Sequence, residues 1–296
     1  MTGHLLRSLL YAPANRPDLV SKTQRFAPDA VVIDLEDGTP PSHKVPARSL
    51  AAQAARDLTD RFTGSIWLRV NTPADPALFD DDLACFAAGA FDGVVVPKTE
   101  TPEDVARTET ALAGLGADSR PVIWGIETVL GVHNAPALLG ASERGVAAYF
   151  GAEDYVADLG GRRTPQSTET LWARTQVSMA CRMAGITPVD QVVTDFGDID
   201  RFLADAAVGT SLGYRGKNCI HPSQVPLCHE AYTPSADAVG RARRLLDCYE
   251  RALAQGRGTA AFEGQMIDGP LVAQARTTVV LASASDHTSR GDSARP

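Results

Sequence analysis

Val146 to Asp154 reads VAAYFGAED. Its apolar residues follow one another without in-and-out alternation, the pattern of a strand covered on both faces, as in a parallel sheet. The run then meets two acids, Glu153 and Asp154. A carboxylate at the end of a buried strand loses hydration and is disfavoured unless a cation or a donor compensates it.

The same pattern recurs along the chain in LLYAP (9–13), AVVIDLED (30–37), SIWLRVN (65–71), GVVVPKTE (93–100), PVIWGIET (121–128), DQVVTD (190–195) and KNCIHP (217–222). Stretches with helical spacing, such as VPARSLAAQAARDL and TPEDVARTETALAGL, lie between them. Eight strand–helix units in about 230 residues fit a (β/α)8 TIM barrel better than a doubly wound sheet, which usually has fewer strands per domain. The expected organisation is a catalytic barrel over 1–230, a C-terminal helical extension or lid over 231–282, and a disordered polar tail over 283–296. Within the extension, PSADAVGRARRLLDCYERALAQ has helical periodicity, and GRGTAAFEG reads as a flexible link.

A chain of 296 residues with 44% hydrophobic content can bury a core of this size. Its net charge of −8 argues against a general nucleic-acid binder. Five cysteines without CxxC spacing read as reduced thiols. No apolar run approaches a membrane span and the N-terminus does not resemble a signal peptide, so the expected location is the cytoplasm.

In a barrel, chemistry gathers where strands end. Asp34, Glu36 and Asp37 close the second run, Arg69 and Asn71 the third, Lys98 the fourth, Glu127 the fifth, Glu153 and Asp154 the sixth, Asp195 the seventh and His221 the eighth. Acids also cap the helices that follow strands, and Asp195 before FGDIDRFL suits that role. The repulsion among so many acids requires positive charge, from Arg69 and Lys98 or from a bound ion. Oxygen donors without a His pair or an HExxH favour Mg²⁺ or Mn²⁺ over zinc. Glu127 and Asp154, on consecutive strands, suit one ion; they are otherwise helix caps or partners of Arg69.

DAVVIDLEDGTPP, LRVN, VVVPK, IETVLGVHNAPAL, FGAEDYVADLG, GKNCIHPSQV and GQMIDGPLVAQA follow in this order from about Arg7 to about Leu281. Together they resemble the citrate lyase β-subunit-like branch of the HpcH/HpaI aldolase superfamily, which includes malyl-CoA and citramalyl-CoA lyases. The resemblance implies a TIM barrel with Mg²⁺ on Glu127 and Asp154, and a substrate that is an acyl-CoA or acyl-carrier-linked hydroxyacid, cleaved to a keto acid. It implies that Arg69 faces the thioester oxygen and that Glu36 and Asp37 fix water and the guanidinium. Asp268 would be the acid–base group at the acetyl carbon, and its neighbours Met266, Ile267 and Pro270 suggest a desolvated carboxylate. Asp268 also suits a helix cap. Arg16 and Lys22 match in spacing the basic pair that holds CoA phosphates, and equally suit a solvated helix face. Lys98 joins the substrate-facing charges by neutralising the acidic rim. A swung-over C-terminal segment implies a homo-oligomer, a trimer or a hexamer.

Other readings remain open. GTSLG around Ser211 fits a nucleophile elbow, but the residues before it are helical rather than a strand. Lys98 could form a Schiff base in a metal-free aldolase. His221 is expected to anchor the eighth strand through a hydrogen bond. The same metal and arginine would also serve a thioester hydrolase, and a non-catalytic CoA or keto-acid binder would keep the fold without turnover.

Overall fold

In a computed structural model, which describes residues 5–117 and 119–290, the chain divides into two compact units between Glu230 and Ala231. The first is a closed barrel of parallel strands: β1 (Ser8–Pro13), β2 (Ala30–Asp34), β3 (Ser65–Arg69), β4 (Gly93–Val96), β5 (Val122–Ile126), β6 (Gly145–Phe150), β7 (Thr187–Asp190) and β8 (Gly216–Cys219). Pairing of Leu9 with Ala30 on one side and with Asn218 on the other closes the ring through β1. Alternate residues fill its interior, among them Leu9, Val32, Trp67, Val95, Ile123, Ala147 and Val189. The other faces of β2 and β4 are buried as well, which is why these strands read as unbroken apolar runs.

Helices α1 (Pro17–Val20), α2 (Lys44–Thr59), α3 (Pro76–Ala88), α4 (Pro102–Gly114), α5 (Val129–Ala141), α6 (Ala152–Asp158), α7 (Leu171–Ala184) and α8 (Ile199–Leu212) follow or connect the strands; α9 (Gln224–Tyr232) follows β8. Local chemistry starts several of them. Thr101 and Asp104 form a reciprocal capping box on α4, and the Thr128 hydroxyl accepts from the Gly131 N–H at 3.0 Å to open α5 directly after Glu127. Ser211 lies inside α8, so no nucleophile elbow forms there.

The seventh strand lies earlier than its sequence suggests. The VVT segment is β-branched, yet the strand is TPVD and ends at Asp190. Pro188 sits within it and disguises it. Asp190 is sealed by Arg174, which reaches it through Nε at 2.8 Å, and by Lys217 at 3.3 Å. The chain turns out of the sheet at Gln191, whose N–H donates to Asp190 Oδ1 at 2.9 Å. Asp195 therefore does not close a strand; it accepts from the Gly197 N–H in an exposed turn.

In the second unit, α10 (Ala236–Ala254), the hairpin β9 (Ala260–Phe262) and β10 (Gln265–Ile267), and α11 (Gly269–Arg290) share a small core of Ala242, Leu245, Ile267, Val272 and Ala275. Disorder is expected from residue 283, but α11 continues to Arg290. Its small residues tolerate helix, and the Ser283 and Ser285 hydroxyls donate back to carbonyls four residues earlier. Residues 291–296 of the expected tail lie outside the described residues. No helix among the described residues is long and apolar enough to cross a membrane.

Candidate active site

At the ends of the strands a cavity of about 380 Å³ is lined by Arg69, Glu127, Tyr149, Asp154 and Asn218, with Asp34 and Asp37 beside them. Asp34 and Arg69 are cross-strand partners on β2 and β3, each two residues beyond an interior residue, Val32 or Trp67. The strand period of two aims both inward. Arg69 donates to Asp34 through Nε at 2.7 Å and Nη2 at 2.6 Å, and Nη1 lies 2.9 Å from Glu36 Oε2. Its guanidinium stacks 5.0 Å from the Tyr11 ring centroid. Burial works to raise the Asp34 pKa, but the Arg69 charge, its hydrogen bonds and the N–H groups of Glu36 and Gly38 hold the carboxyl below its ordinary value.

Lys98 crosses the rim. Its ammonium is paired with Glu36, lies 3.2 Å from Asp37 and 3.5 Å from Asp154, and its backbone N–H donates to Glu127 Oε1 at 3.1 Å. Glu127 is 2% exposed and also accepts from the Tyr149 hydroxyl. Burial, followed by the charge of Glu36, pushes its pKa up to about 7. Asp154 stands with Glu153 in the first turn of α6, where the helix dipole favours negative charge. The acids that end VAAYFGAED thus open a helix, and Lys98 and Arg163 face them. Arg163 donates to Glu153 at 2.9 Å, turning that acid to its own partner.

The donor set fits a hard divalent cation. Five carboxylates, Asp34, Glu36, Asp37, Glu127 and Asp154, surround two cations, Arg69 and Lys98. Space is kept around Glu127: a Cβ at Gly125 would lie 2.6 Å from its Oε1, and one at Gly151 would lie 2.5 Å from its Oε2. No group of three or more His, Cys, Asp or Glu side chains that could hold a metal occurs among the described residues. Magnesium takes one or two protein carboxylates and completes its shell with water and substrate oxygens.

Other residues singled out from sequence lie elsewhere. Arg16 and Lys22 converge on Asp18 at 2.8 and 3.9 Å on an exposed surface and do not line the cavity. Asp268 belongs to the second unit, half-buried at the start of α11, where its carbonyl accepts from the Val272 N–H. Of its apolar neighbours only Ile267 is buried; Met266 is 69% exposed, so the apolar enclosure expected there is not formed within this unit. His221 stacks on Phe196 and bonds Ser223, while Gln224 anchors the end of β8 by accepting from the Ile220 and His221 N–H groups and donating to the Val193 carbonyl. Tyr11, Tyr149 and Asn218 were not singled out by their residue types. Their signal was position, one strand period beyond interior residues or beside the rim.

A family model described as HpcH/HpaI aldolase/citrate lyase matches residues 7–222. A citrate lyase subunit beta-like protein of Deinococcus radiodurans is 47% identical over 92% of this chain and 96% of its own length. The L-malyl-CoA/beta-methylmalyl-CoA lyase of Cereibacter sphaeroides is 32% identical over 92% and 93%. Among solved structures, protein CitE of Mycobacterium tuberculosis in complex with magnesium, acetoacetate and coenzyme A superposes with a TM-score of 0.77 at 31% identity, covering 93% of this chain and 97% of that one.

Proposed function

The chain belongs to the HpcH/HpaI aldolase/citrate lyase family, and from that premise we propose that it is a Mg²⁺-dependent carbon–carbon lyase that cleaves, or forms, a 3-hydroxyacyl-CoA thioester of citryl, malyl or citramalyl type. The products of cleavage are acetyl-CoA and a keto acid. The observation that carries this reading is the excess of carboxylate over cationic charge around Glu127, in a cavity that also presents a fixed guanidinium. The similarity to a magnesium- and coenzyme A-bound CitE supports it.

Glu127 and Asp154 would hold the ion, which supplies Lewis acidity toward the hydroxyl and carboxylate oxygens of the keto-acid half. As the C2–C3 bond breaks, the hydroxyl gives its proton to water and its oxygen becomes the carbonyl of the keto acid, while the electron pair of the broken bond moves onto the thioester fragment as an enolate. Arg69 meets that charge. Because Asp34 and Glu36 grip the guanidinium on both edges, little reorganisation accompanies charge development, and such a donor contributes about 3 kcal/mol of barrier lowering. Glu36 and Asp37 orient water and Lys98 at the rim. Asp268 gives the enolate carbon its proton, or removes it in the condensation direction. Arg16 and Lys22 contact the CoA phosphates. The active species is a homo-oligomer in the cytoplasm.

Purified protein incubated with Mg²⁺, acetyl-CoA and either glyoxylate, pyruvate or oxaloacetate, with products analysed by mass, tests the reading. A condensation product with one of the keto acids is expected. Release of free CoA from malyl-CoA without carbon–carbon cleavage would instead identify a thioester hydrolase, and tight CoA binding with neither product would identify a binding protein.

A further inference from the structure

Lys98 touches both carboxylates assigned to the ion. Its N–H donates to Glu127 Oε1 at 3.1 Å, and its Nζ lies 3.5 Å from Asp154 Oδ1 while paired with Glu36 and 3.2 Å from Asp37. The backbone makes this double contact possible. Lys98 has φ +48°, the left-handed region in which a residue with a side chain is uncommon. That turn after β4 points the N–H at Glu127 and sends the four-carbon side chain to Glu36, Asp37 and Asp154. The conformation persists because contacts at both ends of the residue hold it there. The side chain is 24% exposed, so its charge is only partly screened.

We propose that Lys98 is a resident cation: it holds the acidic cluster together in the metal-free protein and yields Asp154 when a divalent ion binds, so that it sets the affinity of the site. The inference rests on the reading that Glu127 and Asp154 hold the ion. The ammonium and a divalent ion would draw on the same Asp154 carboxylate and repel each other, so metal affinity would contain the cost of parting Lys98 from Asp154. The device keeps the four carboxylates it touches together at low metal concentration and makes loading depend on ion concentration.

Mn²⁺ is the probe, with free ion measured by electron paramagnetic resonance in wild type, K98Q, K98R and, as a control on net charge alone, R163Q, whose charge is spent on Glu153 and Glu169. K98Q is expected to bind at least about tenfold more tightly than wild type, with K98R and R163Q within about threefold. Equal or weaker binding by K98Q overturns the proposal and leaves the ion-binding reading intact. Absence of Mn²⁺ binding by wild type overturns both.

A second measurement needs no variant to fold without metal. The chain has four lysines, Lys22, Lys44, Lys98 and Lys217, so ¹⁵N-lysine labelling gives few side-chain resonances to assign. Titration of wild type with Mg²⁺ is expected to shift the Lys98 Nζ signal and leave Lys217, sealed against Asp190 and Asp205, in place. An unmoved Lys98 signal at saturating Mg²⁺ overturns the proposal.

Discussion

Asp34 and Arg69 face each other in register on neighbouring parallel strands and join through two hydrogen bonds of 2.7 and 2.6 Å. Their side chains are 4% and 12% exposed, so each is the other's main compensation for lost water. Removing one partner of a buried pair leaves the other charge uncompensated, at a cost of about 3 kcal/mol or more. Asp34→Asn is therefore expected to lower the urea midpoint markedly and to cut kcat by about a hundredfold as the guanidinium loses its fixed orientation. Arg69→Lys, which keeps the charge without the fork, is expected to recover part of the stability and little of the activity. Equilibrium unfolding and steady-state kinetics on the same preparations check both.

The hydroxyls of Tyr11 and Tyr149 are expected to behave differently. Tyr11 Oη is buried and has no hydrogen-bond partner among the described residues, so Tyr11→Phe removes an uncompensated polar group and should change stability by less than about 1 kcal/mol, with stabilisation a permitted sign. Tyr149 donates to Glu127, and Tyr149→Phe takes a donor from a carboxylate already strained by burial. Thermal unfolding should rank Tyr149→Phe as the more damaging change. The reverse order would mean that the Glu127 environment is misassigned.

Acid should unfold the barrel partly through Asp205. Burial works against its charge, but Lys217 and Arg174 prevail and hold its pKa below the ordinary carboxylate value. A carboxyl whose folded pKa is depressed contributes stability that is complete above its unfolded pKa, about 3.9, and is lost as pH falls through the lower folded value. Urea midpoints measured from pH 6 down to pH 3 should fall over the acid end of that range. Asp205→Asn should be less stable at pH 6 and show a shallower decline.

Much of the barrel was legible because both faces of its strands are covered, which writes them as consecutive apolar residues in AVVID and GVVV. β7 was not, because Pro188 and Asp190 break that pattern and are accommodated only by Arg174 and Lys217, contributed by α7 and β8. The rim acids were legible as residues at strand ends. The embrace of Arg69 by Asp34 was not, since it depends on register between two strands, and by residue type Asp34, Glu36 and Asp37 look alike. Asp268 illustrates a further limit: its motif can be read from the chain, but the groups that face its carboxylate cannot.

Glu127→Gln and Asp154→Asn each retain size and remove one negative oxygen ligand. Each is expected to weaken Mn²⁺ binding by at least about tenfold, and both together to abolish it, with far-ultraviolet circular dichroism unchanged. Asp37→Asn, whose carboxylate is 60% exposed, is expected to move binding far less. Isothermal titration with Mn²⁺ separates these outcomes from loss of folding.

Crystals of the wild-type protein soaked in MnCl₂, with data collected near the manganese edge, address the ion-binding assignment most directly. A single anomalous peak within about 2.3 Å of carboxylate oxygens of both Glu127 and Asp154 is the expected result. An empty cavity at millimolar Mn²⁺, or a peak bound elsewhere with Glu127 still held by Tyr149 and the Lys98 N–H, would contradict it.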